Sequence, residues 1–168
     1  MSRINTKKLA LMGVLTALEV ILSRFLSLNA WNMKIGFNFV PLVIAAVLLG
    51  PVYAAVLGAL GDFIGATLFP IGAYFPGFTL TAALMGLVLG IFLYEKQSFP
   101  RIAAAVIINQ FVLGLFLNTL WISVLYGSPY VPLLVTRVVQ SALLTAVQLA
   151  LIPVILRALS RFGGKEKL

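Results

Sequence analysis

The sequence predicts an all-α integral membrane protein, a bundle of six transmembrane helices in a single domain that takes in residues 1–168. Composition is the first reason: 62% of the 168 residues are hydrophobic, 10% are charged, and the mean hydropathy is +1.12. A soluble domain carries roughly 25% charged residues. The second reason is that long apolar segments alternate with short breaks rich in Gly, Pro, Asn and Ser, which is typical turn chemistry.

Six apolar segments are candidates for spanning helices, which need about 20 mostly apolar residues each. The first follows a basic N-terminal stretch, and its apolar run is too long for the h-region of a signal peptide, so we expect a retained helix. The second is short and is expected to tilt little or to begin within the preceding loop. The six segments cover residues 8–28, 37–50, 52–69, 78–95, 101–126 and 131–157.

The charge distribution predicts how the bundle is oriented. Twelve Lys and Arg residues against four Asp and Glu give a net charge of +8. Most cations flank apolar segments, where they set topology, so nucleic acid is not expected as a partner. With the N-terminus inside, nine cations lie on the inner side, and only Arg24, Lys34 and Arg137 lie in the outer half. The positive-inside rule therefore predicts a cell-membrane protein with both termini in the cytoplasm.

Missing residue types exclude several functions. The chain has no Cys and no His, which removes thiol catalysis, cysteine-ligated metals and the commonest general base. It has no G-x-x-x-x-G-K-[ST] motif, so it cannot hold ATP phosphates in a P-loop. A membrane enzyme acting on lipid or isoprenoid would need an acidic or metal-binding cluster, which four scattered acidic residues do not supply. We expect no catalysis, cofactor or metal, and a binding or a purely structural role remains.

Four ionisable residues lie within predicted spans, where they cost several kcal/mol and are functional candidates by default. Asp62, near the middle of the third span, either pairs with a group on another helix or binds a ligand. Arg137, about two turns below the outer end of the last span, is the best candidate for binding an anion. Arg24 reaches a pocket only if the first helix bends or ends near Ser23. The fourth residue is Glu19, at a depth similar to that of Asp62.

Aromatic residues are more numerous in the predicted outer loops than at the inner face. An interfacial aromatic belt is one explanation, but the excess on one side favours an outward-facing pocket that stacks a planar ligand. The candidate binding residues in and near these loops are Trp31, Lys34, Phe37, Tyr74 and Phe75, and Asn118 in the fifth span could face the same pocket.

Small residues form a stripe on the first helix at Ala10, Gly13 and Ala17. Small residues allow close helix contact, either within the bundle or with another protein. Glu19 lies roughly 200° around the helix from Ala17. If the stripe faces a partner, Glu19 is therefore expected to point into the bundle.

The chain resembles a known family over nearly its whole length, and two stretches are the most informative. The first helix reads ALMGVLTALEVILSR, and the most specific run is GP…GALGDFIGA…FP between residues 50 and 70. The chain resembles the substrate-binding S components of energy-coupling factor vitamin transporters, most closely the folate-specific ones. The family's first-helix motif is usually Ala-x-x-x-Ala, and here Gly13 takes the place of the first alanine.

The resemblance implies a folate-binding subunit that captures vitamin outside and works with a transmembrane coupling subunit and two ATPases. The small-residue stripe would be the docking surface. Asp62 suits the pterin donors, aromatic rings suit its faces, and Arg137, with Arg24 and Lys34 as rivals, suits the glutamate tail. Residues 29–36 and 69–78 are expected to close over the ligand. Riboflavin or another small molecule is the alternative, although riboflavin lacks the dianionic tail.

Overall fold

The computed structural model describes residues 6–30 and 33–161, apart from the side chains of residues 28–30, 33 and 34. Within these ranges the chain is almost entirely helical, with one short hairpin. In chain order the elements are α1 (Thr6–Arg24), β1 (Ser27–Ala30), β2 (Met33–Gly36), α2 (Phe39–Leu48), α3 (Pro51–Leu68), α4 (Pro76–Leu93), α5 (Phe99–Ile107), a π-helix (Ile108–Leu117), α6 (Asn118–Tyr126) and α7 (Tyr130–Arg161).

The helices fall on the six predicted apolar segments. Among the described residues, four helical segments are long and apolar enough to cross a membrane, namely α3, α4, the continuous stretch Phe99–Tyr126 and α7. Helix α1 has 19 residues but contains two lysines, a glutamate and an arginine. Helix α2 has 10 residues, short of the roughly 20 that a span needs. The prediction of a helical membrane protein is confirmed, and the count of six spans stays a prediction.

The first helix ends at Arg24 rather than at the predicted residue 28, and hydroxyl groups bond the carbonyls of its last turn. The Oγ atom of Ser23 donates to the carbonyl of Val20 at 3.2 Å, and that of Ser27 donates to the carbonyl of Ser23 at 2.7 Å. Carbonyls at a helix end lack helical N–H partners, so such bonds favour termination. The chain then enters the antiparallel hairpin β1–β2, where the sequence predicted a loop.

The short helix α2 lies at the centre of the core. Its residues Leu42, Val43, Ala45 and Ala46 are at most 4% exposed, and it packs against α1, α3, α4 and α7. A helix that is apolar on all sides is stable when neighbours surround it. The core cluster that forms around α2 joins it to the ends of α4, α5 and α7 that lie away from the hairpin.

Helices α3 and α4 pack closely enough for their backbones to touch. A methyl group on Gly58 would collide with the carbonyl of Ala82, and one on Gly86 would collide with the carbonyl of Ala54. A methyl group on Gly90 would likewise strike Pro51. Small residues permit this approach, which fixes α3 and α4 as a rigid pair.

Candidate functional site

A cavity of about 330 Å³ opens at the hairpin end of the bundle, where α1, α3 and α6 finish and α2, α4 and α7 begin. Its size is within the range of small-molecule sites. The polar and charged residues that line it are two arginines, one aspartate, six carboxamides, two hydroxyl residues and two tyrosines. These are Arg24, Arg137, Asp62, Asn38, Asn109, Gln110, Asn118, Gln140, Gln148, Thr81, Ser141, Tyr74 and Tyr126.

The mouth of the cavity contains a network centred on Asp62. Its Oδ1 atom lies 3.5 Å from Nη2 of Arg24, and its Oδ2 atom accepts a 2.8 Å hydrogen bond from the hydroxyl of Thr79. Because that hydroxyl has one proton, the Tyr74 hydroxyl 3.2 Å away donates to it in turn. Arg24 also donates to the backbone carbonyl of Asp62 at 3.4 Å. The network ties α1, α3 and α4 together around the opening.

Arg24 reaches this network from the last residue of α1. On an ideal continuous helix Arg24 would lie on the side of the small-residue stripe, and the sequence made its approach to a pocket conditional on an end near Ser23. The helix does end at Arg24, and the side chain is 10% exposed beside Asp62. The condition is met, and Arg24 lines the cavity.

In another part of the lining, Arg137 projects from α7 and is 7% exposed. Its Nη1 atom donates to the Thr119 hydroxyl at 3.3 Å, and its Nη2 atom donates to the Gly114 carbonyl at 3.4 Å. Both partners are neutral, and among the described residues Arg137 forms no ion pair. The Nε atom of Arg137 and the Oδ1 atom of Asn118, both from residues that line the cavity, have no hydrogen-bond partner within the same ranges. This part of the wall therefore offers a buried positive charge and unsatisfied polar atoms.

The floor of the cavity is lined with carboxamides. Asn109 and Gln110 come from the π-helix, and Gln148 comes from α7, eleven residues beyond Arg137. All three are at most 7% exposed. Asn109 uses its Nδ2 atom to donate to the Met85 carbonyl at 3.1 Å. Carboxamides both donate and accept, so the floor suits a ring edge with mixed donors and acceptors.

A row of cavity-lining residues begins in the π-helix and continues into α6. The row consists of Gln110, Gly114, Asn118, Ile122 and Tyr126, each four residues after the last. In an α-helix, residues four apart drift by about 40° per step, so such a row turns away. A π-helix has more residues per turn because its hydrogen bonds run from i to i+5. It therefore offsets part of the drift between Gln110 and Asn118, before ordinary α winding resumes in α6.

The loop between α3 and α4 crosses the mouth and rests on Trp121. The Trp121 ring lies 5.6 Å from that of Phe75, and its Nε1 atom donates to the Thr81 hydroxyl at 3.0 Å. A methyl group on Gly77 would lie 2.6 Å from the same indole. Trp121 thus anchors the start of α4, and the loop it anchors places Tyr74 at the cavity.

The structure brings together five of the nine predicted binding residues, Arg24, Asp62, Tyr74, Asn118 and Arg137. It does not bring Phe37 or Phe75 to the cavity wall. Phe37 is 46% exposed, with its ring 6.3 Å from that of Phe39, and Phe75 packs on Phe78 and Trp121. Trp31 and the side chain of Lys34 lie outside the described residues.

Sequence reasoning missed Thr79 and Gln148. Thr79 looks like an ordinary residue of a membrane helix, and its bond to Asp62 depends on the packing of α3 against α4. Gln148 had a usable signal, since Arg137, Ser141, Leu144 and Gln148 follow at spacings of three and four, which place residues on one helix face. A polar stripe of this kind on an otherwise apolar helix indicates a cavity wall.

The small-residue stripe lies on the outside of the bundle. Ala10, Gly13 and Ala17 are exposed, and a methyl group on Gly13 would meet no atom within 4 Å among the described residues. Glu19 points inward and is 3% exposed. The stripe is therefore not a packing surface within the described bundle, and its role as a docking surface remains a prediction.

Comparisons with known proteins agree with this architecture. The family of ECF-type riboflavin transporter S components matches residues 3–161. The chain is 39% identical over 134 residues to the folate transporter FolT of Clostridium novyi (strain NT), covering 79% of this chain and 78% of that one. It is 28% identical over 156 residues to the folate transporter FolT of Leuconostoc mesenteroides, covering 89% and 84%.

One solved structure is similar over most of the chain. It is the crystal structure of FolT bound with folic acid, with a TM-score of 0.84 and 34% sequence identity. The match covers 88% of this chain and 91% of that one.

Proposed function

The chain belongs to the family of ECF-type transporter S components, and we propose that it is the folate-binding subunit of an ATP-dependent vitamin importer. Members of this family are membrane transport subunits rather than enzymes. The family description names riboflavin, whereas the similar transporters and the similar structure name folate and folic acid. The chemistry of the cavity favours folate over riboflavin.

The observation that carries the proposal is the buried Arg137, which has neutral partners in the cavity wall. A charge held in a poorly solvated place without a counter-ion costs several kcal/mol. An anionic ligand removes this cost, and a guanidinium matches a carboxylate in shape as well as in charge. The glutamate tail of folate carries about two negative charges at pH 7, since carboxyl pKa values lie near 4. Riboflavin is uncharged at its flavin and ribityl groups and gives Arg137 no such partner.

The other cavity groups suit the rest of the molecule. A pterin is flat and has adjacent donors and acceptors along one edge. The carboxamides of Asn109, Gln110 and Gln148 can match such an edge. Tyr74 and Tyr126 at the mouth offer aromatic faces for the aminobenzoyl ring. Asp62 is a second candidate for the pterin donors, although Arg24 and Thr79 already bond its two oxygens.

The test is a ligand panel on the purified protein in detergent. Isothermal titration would compare folate, a pterin without the aminobenzoyl-glutamate arm, and riboflavin, and mass spectrometry would identify any vitamin that co-purifies. We expect folate to bind most tightly, the short pterin to bind more weakly and riboflavin not to bind. Tighter binding of riboflavin than of folate would assign the chain to the other vitamin. Absence of binding to all three would favour a purely structural subunit.

The topology that we propose has six spans, both termini in the cytoplasm and one domain over residues 1–168. Nine of the twelve cations then lie inside, as the positive-inside rule expects. Because the chain has no cysteine, single cysteines report accessibility without background. Ser128→Cys, between α6 and α7, should react with an impermeant maleimide on intact cells. Ser98→Cys, before α5, should react only after permeabilisation, and the reverse pattern would invert the topology.

The proposed partners are a transmembrane coupling subunit and two ATPases, since no ATP-binding motif was found in this sequence. The exposed stripe of Ala10, Gly13 and Ala17 is the proposed docking surface. Gly13→Trp and Ala17→Trp should abolish recovery of the coupling subunit in a pull-down while folate affinity stays unchanged, because bulk prevents close helix contact. Val139→Trp, at a lipid-facing position of α7 that is 72% exposed, is the matched control. Full recovery with both stripe variants would exclude this surface.

A further inference from the structure

Helix α3 presents two glycines to α1, and each lies beneath a charged side chain. A methyl group on Gly65 would lie 2.6 Å from Nε of Arg24 and 3.3 Å from its Cζ and Nη2 atoms. A methyl group on Gly61 would collide with the carboxylate of Glu19. The guanidinium of Arg24 therefore occupies the space that a side chain at position 65 would fill.

We propose that Gly65 is a positioning residue for ligand binding, because its bare Cα lets the Arg24 guanidinium lie against α3 at the cavity mouth. Gly65 does not itself line the cavity, whereas Arg24 does. The inference rests on the proposed function in one respect, since it takes the ligand to carry carboxylates that Arg24 binds together with Arg137.

The contacts of Arg24 constrain the position of its guanidinium. The Nη2 atom meets the Oδ1 atom of Asp62 at 3.5 Å and the backbone carbonyl of Asp62 at 3.4 Å. The Nε atom faces Gly65 and has no hydrogen-bond partner among the described residues. A guanidinium has five N–H donors, so Asp62 uses one side of the group, and donors remain for a ligand carboxylate. This arrangement requires the guanidinium to stay against α3.

A methyl group at position 65 would move Arg24 without disturbing the helices. The atoms that it meets belong to the far end of a flexible side chain, which can swing aside. At Gly58 and Gly86, by contrast, the atoms met are backbone carbonyls of the neighbouring helix. Alanine is also a better helix former than glycine. Gly65→Ala should therefore keep the fold and displace only the guanidinium.

Gly61→Ala is the matched control, since it adds the same methyl group one turn earlier on the same face of α3. It displaces the carboxylate of Glu19, which does not line the cavity. The melting temperature of each variant without ligand, measured in detergent, tests whether the compared proteins are equally folded.

The experiment is a double-mutant cycle with Gly65→Ala and Arg24→Gln, read by isothermal titration of folate and of the pterin without the aminobenzoyl-glutamate arm. Loss of a charge-assisted contact should weaken folate about 10-fold or more in Gly65→Ala, with less than about a 2-fold effect on the short pterin. In the Arg24→Gln background, Gly65→Ala should cause no further loss, because residues that act through one group are not additive. Gly61→Ala should leave folate affinity within about 2-fold of wild type.

Three results would overturn the inference while the proposed function stands. They are unchanged folate affinity in Gly65→Ala, an additive loss in the double variant, and failure of Gly65→Ala to fold, which would show that Arg24 does not move aside. Failure of the wild-type protein to bind folate is a different result, and it would overturn the proposed function itself.

Discussion

The cavity wall formed by α3 and α4 is held by backbone contacts through glycines, whereas the wall formed by the π-helix and α7 is held by polar side chains. In the first wall, Gly58 and Gly86 bring one helix against the carbonyls of the other. In the second, Arg137 bonds to Thr119 and Gly114, and the Tyr130 hydroxyl donates to the Phe116 carbonyl at 3.2 Å. Close backbone packing tolerates little movement, while side-chain bonds can be exchanged for bonds to a ligand. The comparison indicates one wall that fixes the shape and one that recognises the ligand.

The largest effect is expected from breaking the rigid wall. Gly86→Val places a branched side chain against the carbonyl of Ala54, and overpacking of this kind costs about 1–3 kcal/mol, with backbone clashes at the upper end or beyond. Little folded protein should be recovered, as judged by size-exclusion profile and thermal unfolding in detergent. Gly13→Val is the control, because its methyl position is open. A Gly86→Val protein that melts like wild type would show that the α3–α4 contact is not rigid.

The second-largest effect is expected at Arg137, in the wall formed by the π-helix and α7. Arg137→Gln should weaken folate by about 2 kcal/mol or more, as for a hydrogen bond to a charged group, and should weaken the short pterin little. Stability without ligand should hold or rise, since a buried charge is removed. Arg137→Lys should recover only part of the loss because the fork geometry is gone.

One alternative from the sequence is that Arg137 forms a permanent ion pair with Asp62 or Glu19. The structure shows neutral partners instead. Equal loss of folate and short pterin, together with a lower melting temperature, would nevertheless support a structural role for Arg137.

A smaller effect is expected at the mouth, where the two walls meet. Asp62→Asn removes the charge that holds Arg24 and should cost about 1 kcal/mol of folate affinity, with a smaller effect on the short pterin. The sequence-based interpretation, in which Asp62 binds the pterin edge, requires equal losses of about 2 kcal/mol for both ligands. Titration of both ligands separates the two roles. Thr79→Val is the control that removes the 2.8 Å hydrogen bond to Asp62 but keeps its charge.

The smallest expected effect is spectroscopic. The sequence singled out Trp31 as the reporter of loop closure, to be observed in a Trp121→Phe background. Trp31 lies outside the described residues. Trp121 anchors the loop before α4 through Phe75 and Thr81, so replacing Trp121 would disturb the loop that is expected to close. We therefore expect Trp121 fluorescence, measured in a Trp31→Phe background, to change at saturating folate. A constant signal with binding confirmed by titration would place the moving part elsewhere.

The helices could be predicted from the sequence because lipid imposes a simple rule on apolar length, and Gly and Pro mark the breaks. Asp62 and Arg137, which both line the cavity, were selected as candidates because burying charge is costly. From the sequence, Arg24 could be placed at a pocket only on the condition that the first helix bends or ends near Ser23. No local sequence pattern predicted the π-helix. An apolar sequence can form either an α-helix or a π-helix, and tertiary contacts determine which of the two forms. For that reason the carboxamide floor was not assembled in advance.

The π-helix has a consequence for how such proteins diverge. Each π turn contains more residues than the α turn that it replaces, so deletion of a single residue within Ile108–Leu117 favours ordinary α winding. The 28-residue segment would still be long enough to cross a bilayer. Asn109 and Gln110, however, would change their angle about the helix axis relative to Asn118, because both the number of residues between them and the angle per residue would change. One inserted or deleted codon can thus exchange the floor of the cavity while hydropathy and overall similarity hardly change, which gives the lineage a short path from one ligand to another.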